Sequence, residues 1–253
     1  MSEAPLLELK NVAKSYGKGR YKKDVLKDIN LTLNEGEVLG IIGESGCGKS
    51  VLLNLIACLE PVSGGHLFFK GEEYTGKKPK DVCQWFQVIF QDSEAAFDPK
   101  MTIRKSMREN LSLLSKDVSN SDKKIDDMVA IMGLDTSLAE RYPRQLSGGQ
   151  VQRMSIARGL VTEPNMILCD EITSALDVSA QAMILQYLNN LREARGLTMI
   201  FVSHDMAVCS TFCDRMAIMK DGEIVEIGTP EQIMDHPQHE YTKLLLEAVL
   251  YVK

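Results

Sequence analysis

The sequence predicts an α/β fold with a parallel sheet at its core, an antiparallel β segment at the N-terminal end and an inserted helical segment. Three observations predict it. "VLGII", "NMILCD" and "TMIFVS" are short runs that are apolar throughout, as strands buried on both faces are. The helical "AQAMILQYLNNLREARG" stands between the last two, and a strand, helix, strand order implies parallel strands with right-handed crossovers. From about Phe97 to Leu160 strand alternation disappears, and segments such as "KKIDDMVAIMGL" carry helical spacing.

Taken in order, "LLELKNVAKSY" and "DVLKDINLTLNEGEVLGIIG" read as several short strands separated by the basic turn "GKGRYKK". A helix follows from Lys49, then a strand-like "GHLFFKGEE". Near the end, "DRMAIMKDGEIVEIG" reads as two strands joined at Asp221–Gly222, followed by helices in "PEQIMDH" and "EYTKLLLEAVL". The predicted division is one domain over 1–253, with an α/β core at 1–96 and 161–230, a helical subdomain at 97–160 and a C-terminal helical extension at 231–253.

The formal net charge of −6 gives no general attraction for nucleic acid. The longest apolar stretches, such as Val51 to Leu59 with Asn54 inside it, fall short of the roughly 20 residues that span a bilayer. "MSEAPLLELKNV" has neither a basic leader nor a cleavable apolar core, so the expectation is an intracellular chain without a signal peptide. The six cysteines include no C-x-x-C pair and are expected to be buried, reduced thiols.

The chemistry begins at Gly43-Glu44-Ser45-Gly46-Cys47-Gly48-Lys49-Ser50, which fits G-x-x-x-x-G-K-[ST] between a buried strand and a helix. Its glycines let backbone N–H groups turn toward phosphates and the helix start adds a positive end. Lys49 then reaches the β/γ oxygens, and the Ser50 hydroxyl ligates Mg²⁺. Asp170 ends "MILCD", where a metal-anchoring carboxylate is needed, and Glu171 follows as the group that polarises water. His204 closes "TMIFVSH"; it is either a γ-phosphate sensor or a structural histidine. Gln91 follows the apolar "VIF", with an amide in reach of metal or water. Tyr16, late in an early strand, stacks on a base or packs. "YPRQLSGGQVQR" puts Ser147, Gly148 and Gly149 ahead of a helix, a second phosphate-binding turn in one chain.

In order and approximate spacing, Tyr16, the Gly43–Ser50 loop, Gln91, "LSGGQ", "MILCDE", "SALD" and His204 resemble the ATP-binding subunit of ABC transporters, over nearly the whole chain. "FQDSEAAFDPKMTI", "LDVSAQAMIL" and "HPQHEYTKLLLEA" resemble its peptide and nickel importer branch. The resemblance implies a P-loop NTPase (RecA-like) core, ATP and Mg²⁺ as ligands, and hydrolysis coupled to import of an oligopeptide, nickel or a metal chelate.

It assigns Glu171, His204 and Gln91 to catalysis, with Gln91 as the Q-loop glutamine and His204 as the switch histidine. ATP falls to Tyr16, Gly43 through Ser50 and Val51; Mg²⁺ to Ser50, Gln91 and Asp170; and the D-loop to Ser174 through Asp177. Ser147, Gly148, Gly149 and Gln150 are assigned to ATP held by another subunit. The implied partners are a second ATPase subunit, itself or a paralogue, two membrane permeases and, indirectly, an external binding protein, with no nucleic acid. The implied location is the cytoplasmic face of the membrane, peripherally.

Two positions depart from the family pattern: Ile172 stands where proline is usual, and Val51 where threonine is common. His236 and His239 belong to the C-terminal motif and are not read as metal ligands. An ABC-type ATPase of a soluble complex, such as a phosphonate-degrading assembly, is the alternative reading.

Overall fold

The computed structural model describes residues 4–114, 119–174 and 176–250, so Ala175 of the expected D-loop lies outside the described residues. In chain order the strands and helices are β1 (Leu7–Tyr16), β2 (Lys23–Leu33), β3 (Val38–Ile42), α1 (Lys49–Ile56), β4 (Gly64–Phe69), β5 (Glu72–Glu73), α2 (Pro79–Val82), β6 (Phe86–Ile89), α3 (Ile103–Leu114), α4 (Ser121–Ile131), α5 (Gly148–Leu160), β7 (Met166–Asp170), α6 (Val178–Arg195), β8 (Thr198–Ser203), α7 (Met206–Phe212), β9 (Arg215–Lys220), β10 (Glu223–Gly228), α8 (Pro230–Asp235) and α9 (Glu240–Leu250). They fall into two compact units, residues 1–82 with 196–253, and residues 83–195.

In the first unit, β3 pairs in parallel with both β8 and β9, and β9 turns back antiparallel into β10. Every residue of β3 and β8 is buried, which is why both read as unbroken apolar runs. Gly40, inside β3, lets α7 approach: an added Cβ would lie 2.9 Å from the Cys213 Sγ and 3.5 Å from that of Cys209. Those two thiols are therefore packing groups. All six cysteines are free, and Cys47, Cys169, Cys209 and Cys213 are buried.

The antiparallel sheet has the order β2-β1-β4-β5. Here the expectation of several short strands gives way to two long ones, 10 and 11 residues, paired through register shifts. Asn11 and Asp28 both take left-handed backbone, φ 49°, and the polar side chains replace ladder bonds across the irregularity. Asn11 Nδ2 donates to Asp28 Oδ1 at 2.6 Å, and the Asn11 N–H donates to Asn30 Oδ1 at 2.9 Å. Residues that look like strand breakers in sequence thus carry the strands through a bulge.

In the second unit, β6 and β7 run parallel, with Phe86 opposite Met166 and Ile89 opposite Cys169. Helices α3, α4 and α5 contact one another. Arg104 on α3 is nearly covered and binds Asp126 of α4 at 2.6 Å, with Glu140 and Asp122 completing its partners. Asn110 Nδ2 donates to the Arg158 carbonyl at 2.8 Å, tying α3 to α5. No helix among the described residues is long and apolar enough to cross a membrane.

Candidate nucleotide site

The segment between β3 and α1 wraps from Gly43 to Gly48. Gly48 has φ 113°, and a Cβ there would lie 2.7 Å from Leu26 Cδ2, so only glycine closes this turn onto the helix start. Gly46, φ 85°, has no atom within 4 Å of its added Cβ, leaving the loop open on that side. Lys49 is 5% exposed, and its Nζ donates to the Gly43 and Glu44 carbonyls at 2.8 and 3.0 Å. The ammonium is thus fixed at the loop, while Ser50, in the first turn of α1, is exposed. Val51, where a threonine would add a hydroxyl, is half-buried.

The outer wall of this loop comes from distant sequence. The Gly222 N–H donates to the Cys47 carbonyl at 3.1 Å, and the Glu44 N–H donates to the Tyr241 hydroxyl at 3.4 Å. Tyr241 is buried, with Lys220 Nζ 4.7 Å from its ring centre. The Tyr241 N–H in turn donates to His239 Nδ1 at 3.1 Å, giving that histidine a capping role at α9. Sequence reasoning missed Tyr241, which lies 197 residues from Glu44.

Gly43 is closest to the wall, since an added Cβ would stand 2.3 Å from the Met219 carbonyl oxygen and 2.8 Å from Cys47 Sγ. Gly43→Ala is expected to destabilise the chain by about 2 kcal/mol through overpacking and to lower its melting temperature by about 5 °C. Circular dichroism on heating reads this directly, and an unchanged melting temperature would mean that the wall yields.

Tyr16 ends β1 and is 41% exposed; its hydroxyl donates to Glu60, and Lys14 Nζ stands 4.9 Å from its ring centre. His204 follows β8 and is exposed. The next residue, Asp205, caps α7 by accepting from the Val208 N–H at 3.1 Å.

In the second unit, Asp170 is the last residue of β7, half-buried after the fully buried Cys169. Glu171 has φ 48°, a backbone state uncommon outside glycine, so the chain turns sharply between the two carboxylates. Its carbonyl accepts from the Ser174 N–H at 3.2 Å and from Ser174 Oγ at 2.9 Å, and Gln91 Nε2 reaches that same hydroxyl at 3.4 Å. The structure therefore joins Gln91, Ser174 and Glu171 in one hydrogen-bonded chain. Ile172 is 2% exposed, an apolar anchor beneath the turn.

Ser147 is the N-cap of α5. Its Oγ accepts from the Gln150 N–H at 3.4 Å, and Gln150 Oε1 accepts from the Ser147 N–H at 3.0 Å. Gly148 and Gly149 have neither left-handed backbone nor any atom within 4 Å of an added Cβ. Among the described residues, no turn or contact accounts for glycine at either position.

A glycine-rich loop between a buried strand and a helix, closed over a buried lysine, places the chain in the phosphate-loop class of proteins. The family model described as ABC transporter matches residues 26–174, and the chain belongs to that family. The oligopeptide transport ATP-binding protein OppF of Streptococcus mutans is 38% identical over 250 residues, 96% of this chain and 81% of that protein. OppF of Escherichia coli K12 is 42% identical over 226 residues, 87% of this chain and 68% of that protein. A solved dimeric structure of the ATP-binding cassette MJ0796, in a post-hydrolysis state bound to ADP and Pi, matches with a TM-score of 0.80 at 32% identity, covering 88% of this chain and 98% of that one.

Proposed function

We propose that this chain is the ATP-hydrolysing subunit of an ABC importer, with oligopeptides as the cargo class. The observation that carries the reading is the Gly43–Ser50 loop closed over Lys49, in a chain whose relatives are named as oligopeptide transport ATP-binding proteins. Those names favour peptides over nickel or chelates.

The phosphates lie on the N–H groups of the loop, with Lys49 as their counter-charge. Adenine stacks on Tyr16, Glu171 accepts a proton from the attacking water, and His204 holds the γ-phosphate in line. Gln91 reaches the Ser174 hydroxyl, which donates to the Glu171 backbone carbonyl, so Gln91 is tied to the turn that carries the base. The Ser50 hydroxyl, the Asp170 carboxylate and the Gln91 amide oxygen are each hard oxygen donors, the chemistry that Mg²⁺ takes. Held by these residues, the ion would supply positive charge against the negative charge that develops on the phosphates.

The helical subdomain presents Ser147, Gly148, Gly149 and Gln150 to the nucleotide of a second ATPase subunit. Bare glycines at an exposed helix start leave room for a phosphate arriving from another chain, which supports this reading. Two permeases then hold the pair at the cytoplasmic face of the membrane, and an external binding protein delivers cargo. Purification from native membranes through a tag on this chain, followed by mass spectrometry, is expected to bring two permeases with it. Recovery of soluble enzymes alone would overturn the transport reading.

Ser147→Arg is expected to leave nucleotide affinity of the single chain within about twofold, because the signature turn serves the other subunit. The bulky cation would stand where the partner's γ-phosphate must approach, abolishing ATP-dependent association. Analytical ultracentrifugation with the ATPase partner reads this, and unaltered association with ATP would contradict it.

A further inference from the structure

Asn54 interrupts an otherwise apolar helix run, and the structure gives it two partners. Its side-chain Nδ2 donates to Glu60 Oε1 at 3.3 Å. Its carbonyl accepts from the Leu59 and Glu60 N–H groups at 2.8 and 3.3 Å, closing the turn in which Cys58 takes φ 55°. Glu60 is thereby fixed, by backbone and side chain together, to the helix that begins at Lys49.

The other carboxylate oxygen of Glu60 accepts from the Tyr16 hydroxyl and lies 3.0 Å from Lys14 Nζ. The Lys14 side chain is only 7% exposed, so its ammonium needs a counter-charge, which Glu60 supplies, and it also donates to the Pro61 carbonyl at 2.8 Å. From that position it faces the Tyr16 ring, a cation against an aromatic face. Tyr16 is thus gripped at its hydroxyl and against its ring, yet remains 41% exposed.

We propose that Glu60, held by Asn54 and Lys14, is a positioning residue that fixes the Tyr16 ring relative to the phosphate-loop helix, so that base and phosphates of one nucleotide are received in register. The inference rests on the reading of Tyr16 as the adenine platform and deepens it. A tyrosine ring turns broadly about its last side-chain bond. The phenol oxygen lies on that axis, so the bond to Glu60 fixes where the ring stands while the Lys14 ammonium against its face limits its turning, which favours binding by preorganisation. The path from platform to phosphates is short: Tyr16 to Glu60, Glu60 to Asn54, and Asn54 along α1 to Lys49. The same hydrogen bond to Glu60 is the chief cause that pushes the Tyr16 phenol up to about 12.

The test compares ATP with tripolyphosphate, which has the phosphates and no base, as ligands of the full chain in calorimetry. Glu60→Gln is expected to weaken ATP about tenfold, the loss of roughly one charge-assisted hydrogen bond, and to leave tripolyphosphate unchanged. In a Tyr16→Ala background the same change is expected to add no further loss. The near-ultraviolet phenolate titration assigned to Tyr16, by difference from Tyr16→Phe, is expected to fall from about 12 toward the ordinary tyrosine value in Glu60→Gln. Asn54→Ser, a milder release of the same carboxylate, is expected to give the same selective loss at about threefold.

If Tyr16→Ala leaves ATP affinity unchanged, the platform reading itself fails. If Tyr16→Ala weakens ATP while Glu60→Gln and Asn54→Ser do not, the platform stands and the positioning role is overturned. Equal weakening of ATP and tripolyphosphate by Glu60→Gln also overturns it, since the effect would then lie at the phosphate loop.

Discussion

Glu171→Gln is expected to bind ATP with affinity within about twofold of the parent and to hydrolyse it about 10³-fold more slowly. The amide keeps the size and shape of the carboxylate, so the turn after β7 is preserved, including the Ser174 bonds to the Glu171 carbonyl. What it loses is the ability to take a proton. Asp170, the neighbouring carboxylate, cannot replace it: it is the last strand residue, and the left-handed backbone at Glu171 turns the chain between them. Such a variant retains ATP, and phosphate release under saturating ATP measures the deficit. Turnover equal to that of the parent would remove Glu171 as the base.

Lys49→Ala has the opposite signature. Lys49 is 5% exposed, with its ammonium held by two loop carbonyls at 2.8 and 3.0 Å, so its removal deprives both carbonyls of a donor and the loop of its one fixed positive charge. ATP affinity is expected to fall by about 10²-fold, corresponding to the loss of one or two charge-assisted bonds to phosphate. Hydrolysis falls with it. Calorimetric titration with ATP separates the two variants, because Glu171→Gln loses the chemistry and Lys49→Ala loses the ligand. Undiminished ATP affinity in Lys49→Ala would place the nucleotide elsewhere than this loop.

Features carried by adjacent residues were legible in the sequence. β3 and β8 are buried on all sides, so their apolar runs announced parallel core strands, and the Asp221–Gly222 turn announced the β9 to β10 hairpin. The phosphate loop was legible because its conformation depends on glycines within eight residues. The lengths of β1 and β2 were not, since their continuity rests on Asn11, Asp28 and Asn30 bonding across two strands. Nor were the supports of the site. Glu60 meets Tyr16 across 44 residues and Tyr241 meets Glu44 across 197, and pairings over such separations leave no periodic trace in a single chain.

At Ser147 to Gln150, proposed above as a second phosphate-binding turn, motif and geometry bear on each other most directly. The motif alone identified Ser147, Gly148 and Gly149. The geometry adds that neither glycine answers a need among the described residues and that Ser147 and Gln150 cap the helix reciprocally. A capped helix start with bare glycines is a rigid surface ready for an anion from outside the chain.

The proposed nucleotide site is one that two ATPase subunits complete together. Its most direct test is the ATPase rate of the membrane complex purified through this chain, with Ser147→Arg set against the parent. The rate is expected to fall to half or less while ATP affinity of the isolated chain is unaltered. A variant complex that hydrolyses ATP at the parental rate would contradict it.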